Sequence, residues 1–111
     1  MRERINIALE FLKLGQSYTI YSLRLGVRNH YIYVTGWSRC ANIESLTKQM
    51  ALDELDEVKE LFEYMVKESP ALAAFIKDKN VKFNLCINPT KEFMPVVSEY
   101  VGAITWERKL V

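Results

Sequence analysis

The chain has 111 residues, half of them hydrophobic and 26% charged, with a net charge of +1. That length fits a single domain over 1–111 with a core of its own, and the balanced charge excludes a global pull toward nucleic acid or a membrane surface. Only four Gly and three Pro occur, which argues against disorder. Two cysteines, Cys40 and Cys86, are too few and too far apart for a disulfide framework, so both read as reduced thiols. No apolar run reaches the length that crosses a bilayer. Glu10 and Lys13 interrupt the apolar stretch near the start, so no signal peptide is expected and the cytoplasm is the default location.

The elements follow in chain order. Residues 2–14 read as an amphipathic helix, with Ile5, Ala8, Leu9, Leu12 and the flanking Phe11 at helical spacing. Gly15 stands where a helix end favours positive φ. Residues 17–25 change to a period of two and read as one strand. A turn at Arg28-Asn29-His30 and a second strand from Tyr31 to Arg39 complete a hairpin over 17–39. Residues 43–50 fit either a third strand or the start of the next helix, and the alternation of Leu46, Met50 and Leu52 favours the strand.

A helix from Asp53 to Glu68 carries one apolar stripe of Leu55, Val58, Leu61, Phe62, Met65 and Val66. Asp53 reads as its N-cap. Ser69-Pro70 opens a short helix over 70–78. The last third returns to period two: a strand over 81–87, a break at Asn88-Pro89-Thr90, then a hairpin of Met94–Tyr100 and Ala103–Lys109 turning at Val101-Gly102. Runs of one element type favour an α+β fold. The expected architecture is an antiparallel sheet from an N-terminal hairpin or meander and a C-terminal meander, packed against an N-terminal helix and a central helix pair.

No chemistry-bearing motif appears. One histidine and no paired cysteines exclude a protein-built zinc site. Phosphate-binding glycine loops are missing, because Gly15, Gly26, Gly36 and Gly102 are isolated. No cofactor is expected. A small enzyme centre would draw on His30 as general base to Cys40 or Ser38, with Arg39 positioned to lower the Cys40 pKa, or on the carboxylates crowded along the central helix. The plain reading is a turn histidine and a strand-end cysteine, so no catalytic residue is assigned.

The charge is split along the chain. Residues 1–40 carry +4, residues 41–68 carry −5 and residues 69–111 carry +2. Asp53, Glu54, Asp56, Glu57, Glu60 and Glu63 crowd one helix, opposite its apolar stripe, and read as a solvated acidic face or, alternatively, as a docking surface for a basic partner. The first hairpin joins Arg24, Arg28 and Arg39 to Tyr18, Tyr21, Tyr31, Tyr33 and Trp37. Aromatic and Arg enrichment marks protein interfaces. It also offers a nucleic-acid-binding or regulatory reading for 17–39, which the near-neutral charge and the expected packing of most of these aromatics against the helices argue against.

The segment Phe83-Asn84-Leu85-Cys86-Ile87, a turn, Val96-Val97-Ser98-Glu99, a Gly turn and Ile104-Thr105-Trp106 resembles the tail of small bacterial immunity proteins. These neutralise the toxic domain of contact-dependent or polymorphic toxins. The acidic helix before the segment extends the resemblance over 53–108. In place of the charged turn typical of that family, this chain has Asn88-Pro89-Thr90-Lys91-Glu92-Phe93. The resemblance implies a cytoplasmic, non-enzymatic inhibitor whose partner is a cognate toxin domain, many of which are nucleases. The expected contact residues are Asp53, Asp56, Glu57, Glu60 and Glu63, with Tyr33 and Trp37.

Overall fold

A computed structural model describes residues 2–40, 45–86 and 107–109. The first element, α1 (Arg2–Lys13), turns Ile5, Ala8, Leu9 and Leu12 inward. It ends as its glycine predicts. Gly15 has φ 77°, its N–H donates to the Leu12 carbonyl at 3.0 Å, and Gln16 N–H donates to Phe11 at 2.9 Å. That pair of bonds satisfies the last carbonyls of the helix.

Three strands follow: β1 (Tyr18–Ile20), β2 (Leu23–Arg28) and β3 (Tyr31–Trp37). The single strand expected over 17–25 is two strands, because the chain reverses at Tyr21-Ser22. Ile20 pairs with Leu23 across this turn, and Tyr21 takes a φ of 56°, the positive φ that two-residue hairpin turns require. The reversal keeps Ile20, Leu23 and Leu25 all buried, which a continuous alternation through 17–25 would not. The next turn is the expected one: Asn29 has φ 58° and Arg28 pairs with Tyr31.

The central helix α2 (Lys48–Glu68) begins earlier than the acidic run suggests. Its N-cap is Thr47, whose hydroxyl accepts from Met50 N–H at 3.1 Å, so Asp53 lies inside the helix. Residues 48–50 are therefore helical rather than part of a third strand, while 41–44 lie outside the described residues. Ser69 closes α2 and opens α3 (Pro70–Ile76). Its N–H donates to Met65 at 3.1 Å, its hydroxyl accepts from Leu72 N–H at 3.1 Å, and Pro70 takes the first helical position, where a missing N–H costs nothing.

The chain then enters β4 (Asn80–Cys86), which lies beside β3 in parallel, and β4 pairs antiparallel with β5 (Glu107–Lys109). The sheet order is β1-β2-β3-β4-β5. The fold is α+β, and its sheet is mixed: the two helices between β3 and β4 carry the chain back to the end where β3 began, which makes that one pair parallel. The expected hairpin of Met94–Tyr100 and Ala103–Lys109 lies outside the described residues except for β5.

All three helices contribute to one core with the inner face of the sheet. Leu9 and Leu12 of α1, Leu55, Phe62 and Met65 of α2, and Leu72 and Ile76 of α3 pack with Leu25, Ile32, Val34, Val81 and Phe83. Phe62 and Phe83 meet edge to face at 6.1 Å between centroids, a preferred aromatic geometry. The period of two on β3 points Ile32 and Val34 into this core. Tyr31 and Tyr33 therefore lie on the opposite side of the sheet, contrary to the expectation that most of the hairpin aromatics pack against the helices. Tyr18 does so, 4.9 Å from Phe11 of α1, and Trp37, at the end of β3, comes beside α2.

Candidate functional site: the α2 face and its Arg39 cleft

The buried side of α2 is the stripe Ala51, Glu54, Leu55, Val58, Phe62 and Met65. Glu54 belongs to it, so this carboxylate is not on the solvated face; it is only 5% exposed. A buried charge persists where hydrogen bonds replace its water. Ser38, also buried, donates its hydroxyl to Glu54 Oε1 at 2.6 Å, and Arg39 N–H donates to Oε2 at 3.0 Å. Ser38 Oγ in turn accepts from Cys40 N–H at 3.0 Å, and Ser38 N–H donates to the Cys86 carbonyl at 2.6 Å. The end of β3 is thereby fastened to both α2 and β4.

Arg39 extends this network to the surface. Its guanidinium forks onto Glu57, with Nη1 to Oε1 at 3.0 Å and Nη2 to Oε2 at 3.1 Å, and Nη2 lies 3.5 Å from Glu54 Oε2. Bidentate charge-assisted bonds of this kind are the strong ones. The hydrogen bond from Arg39 holds the Glu57 carboxyl below the usual carboxylate range, and the bond to Glu57 raises Arg39 further above its ordinary value. The guanidinium is thus committed to two carboxylates.

Beside this clamp lies a cleft of about 330 Å³, lined by Ser22 and Leu23 of the β1–β2 corner, Gly36 and Trp37 of β3, Arg39, and α2 residues including Glu57, Val58 and Leu61. Gly36 sets its floor: a Cβ there would run into Val58 Cγ2. The glycine is what lets α2 approach the sheet. Trp37 Nε1 is buried without a hydrogen-bond partner among the described residues.

On the solvent side of α2, Met50, Asp53, Glu57, Glu60 and Tyr64 are all exposed. Their spacing of three and four residues places them on one helix face. Met50 is 40% and Tyr64 49% exposed, so apolar ends flank an acidic centre. Four of the sequence-expected contact acids are brought together here: Asp53, Asp56, Glu57 and Glu60. Asp53 accepts from Gln49 at 2.9 Å, and Asp56 lies 3.6 Å from Lys59. Glu63 is half-buried and has an interaction of its own. Tyr33 is not part of this face; it sits across the sheet, beside Tyr31 at 6.1 Å and with Lys82 Nζ at 5.9 Å from its ring. Trp37 touches the assembly only through the cleft.

Sequence reasoning missed Met50, Tyr64, Ser38 and the clamp role of Arg39. For Glu54 a signal was present: it falls three residues after Ala51 and four before Val58, in register with the apolar stripe. His30 and Cys40 do not come together. They lie beyond opposite ends of the seven-residue β3, on the order of 20 Å apart at strand rise. Burial raises the Cys86 thiol above its ordinary pKa, which disfavours the thiolate. Among the described residues no cluster of His, Cys, Asp and Glu could hold a metal ion, and no helix is long and apolar enough to cross a membrane. No family model, curated protein or solved structure matches the chain.

Proposed function

We propose that this chain is a non-enzymatic protein-binding inhibitor, acting in the cytoplasm, that neutralises a cognate bacterial toxin domain by direct contact. The observation that supports protein binding is the exposed α2 face, where Asp53, Glu57 and Glu60 lie between Met50 and Tyr64. An acidic centre attracts and orients a basic partner, and the apolar ends supply area to bury. The toxin as partner rests on the resemblance of 53–108 to small bacterial immunity proteins. The test is a pull-down from source lysate with native mass spectrometry, comparing the wild type with Asp53→Lys/Asp56→Lys/Glu60→Lys. One protein retained at one-to-one stoichiometry by the wild type and lost by the variant supports the reading. Equal retention by both removes the α2 face from it.

The outer face of the sheet favours a second reading. Tyr31 and Tyr33 stand there with Lys82 at 5.2 and 5.9 Å from their rings, an arrangement on which single-stranded bases can stack. Gel shifts with single-stranded oligonucleotides, with Tyr31→Ala/Tyr33→Ala as the comparison, test it. A shift insensitive to those substitutions argues against base stacking.

A further inference from the structure

The cleft beside Arg39 is concave, apolar on two sides and charged at its rim, and it is larger than the hollow of about 200 Å³ that Arg39, Cys40, Met50, Asp53 and Glu54 line on the same side of α2. At about 330 Å³ it stands at the small end of ligand pockets, which run from roughly 300 to 1,000 Å³, and suits one side chain better than a cofactor. Leu23, Val58 and Leu61 line its walls. Its charged groups are Glu54, Glu57 and Arg39, which together leave one negative charge.

The hydrogen bonding is also incomplete. An ionised carboxylate offers about four acceptor positions. Glu57 uses one per oxygen, both toward Arg39, and it is exposed. A second cation can therefore join without displacing the first. An anion would meet a guanidinium already engaged by two carboxylates and would gain little.

We propose that this cleft seats one arginine side chain of the partner protein. The methylene stem lies along Leu61 and the accessible edge of Val58, and the guanidinium binds the open side of Glu57 opposite Arg39. Arginine fits better than lysine because its planar fork matches a carboxylate and is more weakly hydrated. The proposal rests on the α2 face being a protein-binding surface and names the chemistry that face would recognise.

The probe is N-acetyl-arginine N-methylamide, titrated into the full-length protein and followed by backbone amide NMR, with the citrulline analogue as its uncharged isostere. The expected result is saturable shifts confined to Ser22, Gly36, Arg39, Glu57 and Leu61, with an affinity in the millimolar range. Citrulline should give none, and Glu57→Gln, an exposed substitution, should weaken binding by about fivefold, in line with loss of one exposed ion pair. Absence of localised shifts, equal shifts from citrulline, or an unchanged affinity in Glu57→Gln overturns the proposal. No partner protein takes part in this titration, so its failure leaves the pull-down on Asp53, Asp56 and Glu60 to be judged by itself.

Discussion

Ser38 donates its hydroxyl to the buried carboxylate of Glu54 at 2.6 Å, joining the end of β3 to the inner side of α2. The same oxygen accepts from Cys40 N–H, so one hydroxyl satisfies a carboxylate and a backbone donor together. Ser38→Ala should leave both short of a partner, at a cost of roughly 1–3 kcal/mol. Chemical denaturation of wild type and variant measures this directly. A variant as stable as the wild type would mean that water replaces the hydroxyl without loss.

Gly36 and Val58 form the closest approach between sheet and helix. Gly36→Ala places a methyl group against Val58 Cγ2, and overpacking of this kind costs about 1–3 kcal/mol. Val58→Ala in the same chain removes the obstructing methyls and should recover part of that loss. A double-mutant cycle read by thermal melts tests the coupling. Simple additivity would show that the helix moves aside freely.

Ser69 serves two helices. It is fully buried, caps α3 through Leu72 N–H, and its hydroxyl lies 3.2 Å from Asn6 Oδ1 of α1. Ser69→Ala should destabilise the fold by about 1–2 kcal/mol, as cap removal does elsewhere. Ser69→Asp, which keeps a capping oxygen but adds charge beside Asn6, should not restore it. Stability curves for the two variants decide the matter.

The Arg39–Glu57 fork predicts a pH dependence with a definite sign. The folded-state pKa of Glu57 is depressed by its hydrogen bond to Arg39. Its stabilising contribution is therefore present above the ordinary glutamate value of about 4.3 and is lost as pH falls through the lower folded value. Arg39→Gln should raise the Glu57 midpoint in a carboxyl-carbon NMR titration back toward that ordinary value. An identical midpoint in both proteins would mean that the fork does not persist in solution.

The sequence was informative wherever one local rule decided the outcome. Gly15 marked the end of α1, Asn29 marked a turn, and Ser69-Pro70 marked the junction of two helices. The double role of alternating residues was harder to see. Tyr18 through Leu25 satisfies a strand pattern throughout, and only the positive φ of Tyr21, a residue that rarely adopts it, breaks the strand. Thr47 caps α2 although Asp53 also has the chemistry of a cap, because the apolar register of Ala51 and Leu55 continues upstream of the acids. The acidic face was legible as composition. Its division was not: Glu54 turns inward because it shares a helix side with Val58, while Met50 and Tyr64 turn outward to flank the remaining acids. The parallel pairing of β3 and β4 follows from a two-helix connection whose path no local pattern specifies.

The central claim is that the exposed acidic face of α2 binds a protein partner. Its most direct measurement is the affinity of the isolated partner for wild type and for Asp53→Lys/Asp56→Lys/Glu60→Lys, by calorimetry at low and at high salt. Three exposed charge reversals, each worth on the order of 0.5 kcal/mol, should weaken binding by about tenfold at low salt. Screening should shrink that difference at high salt. Equal affinity of the two proteins at low salt would contradict the claim and leave those carboxylates as solvated surface.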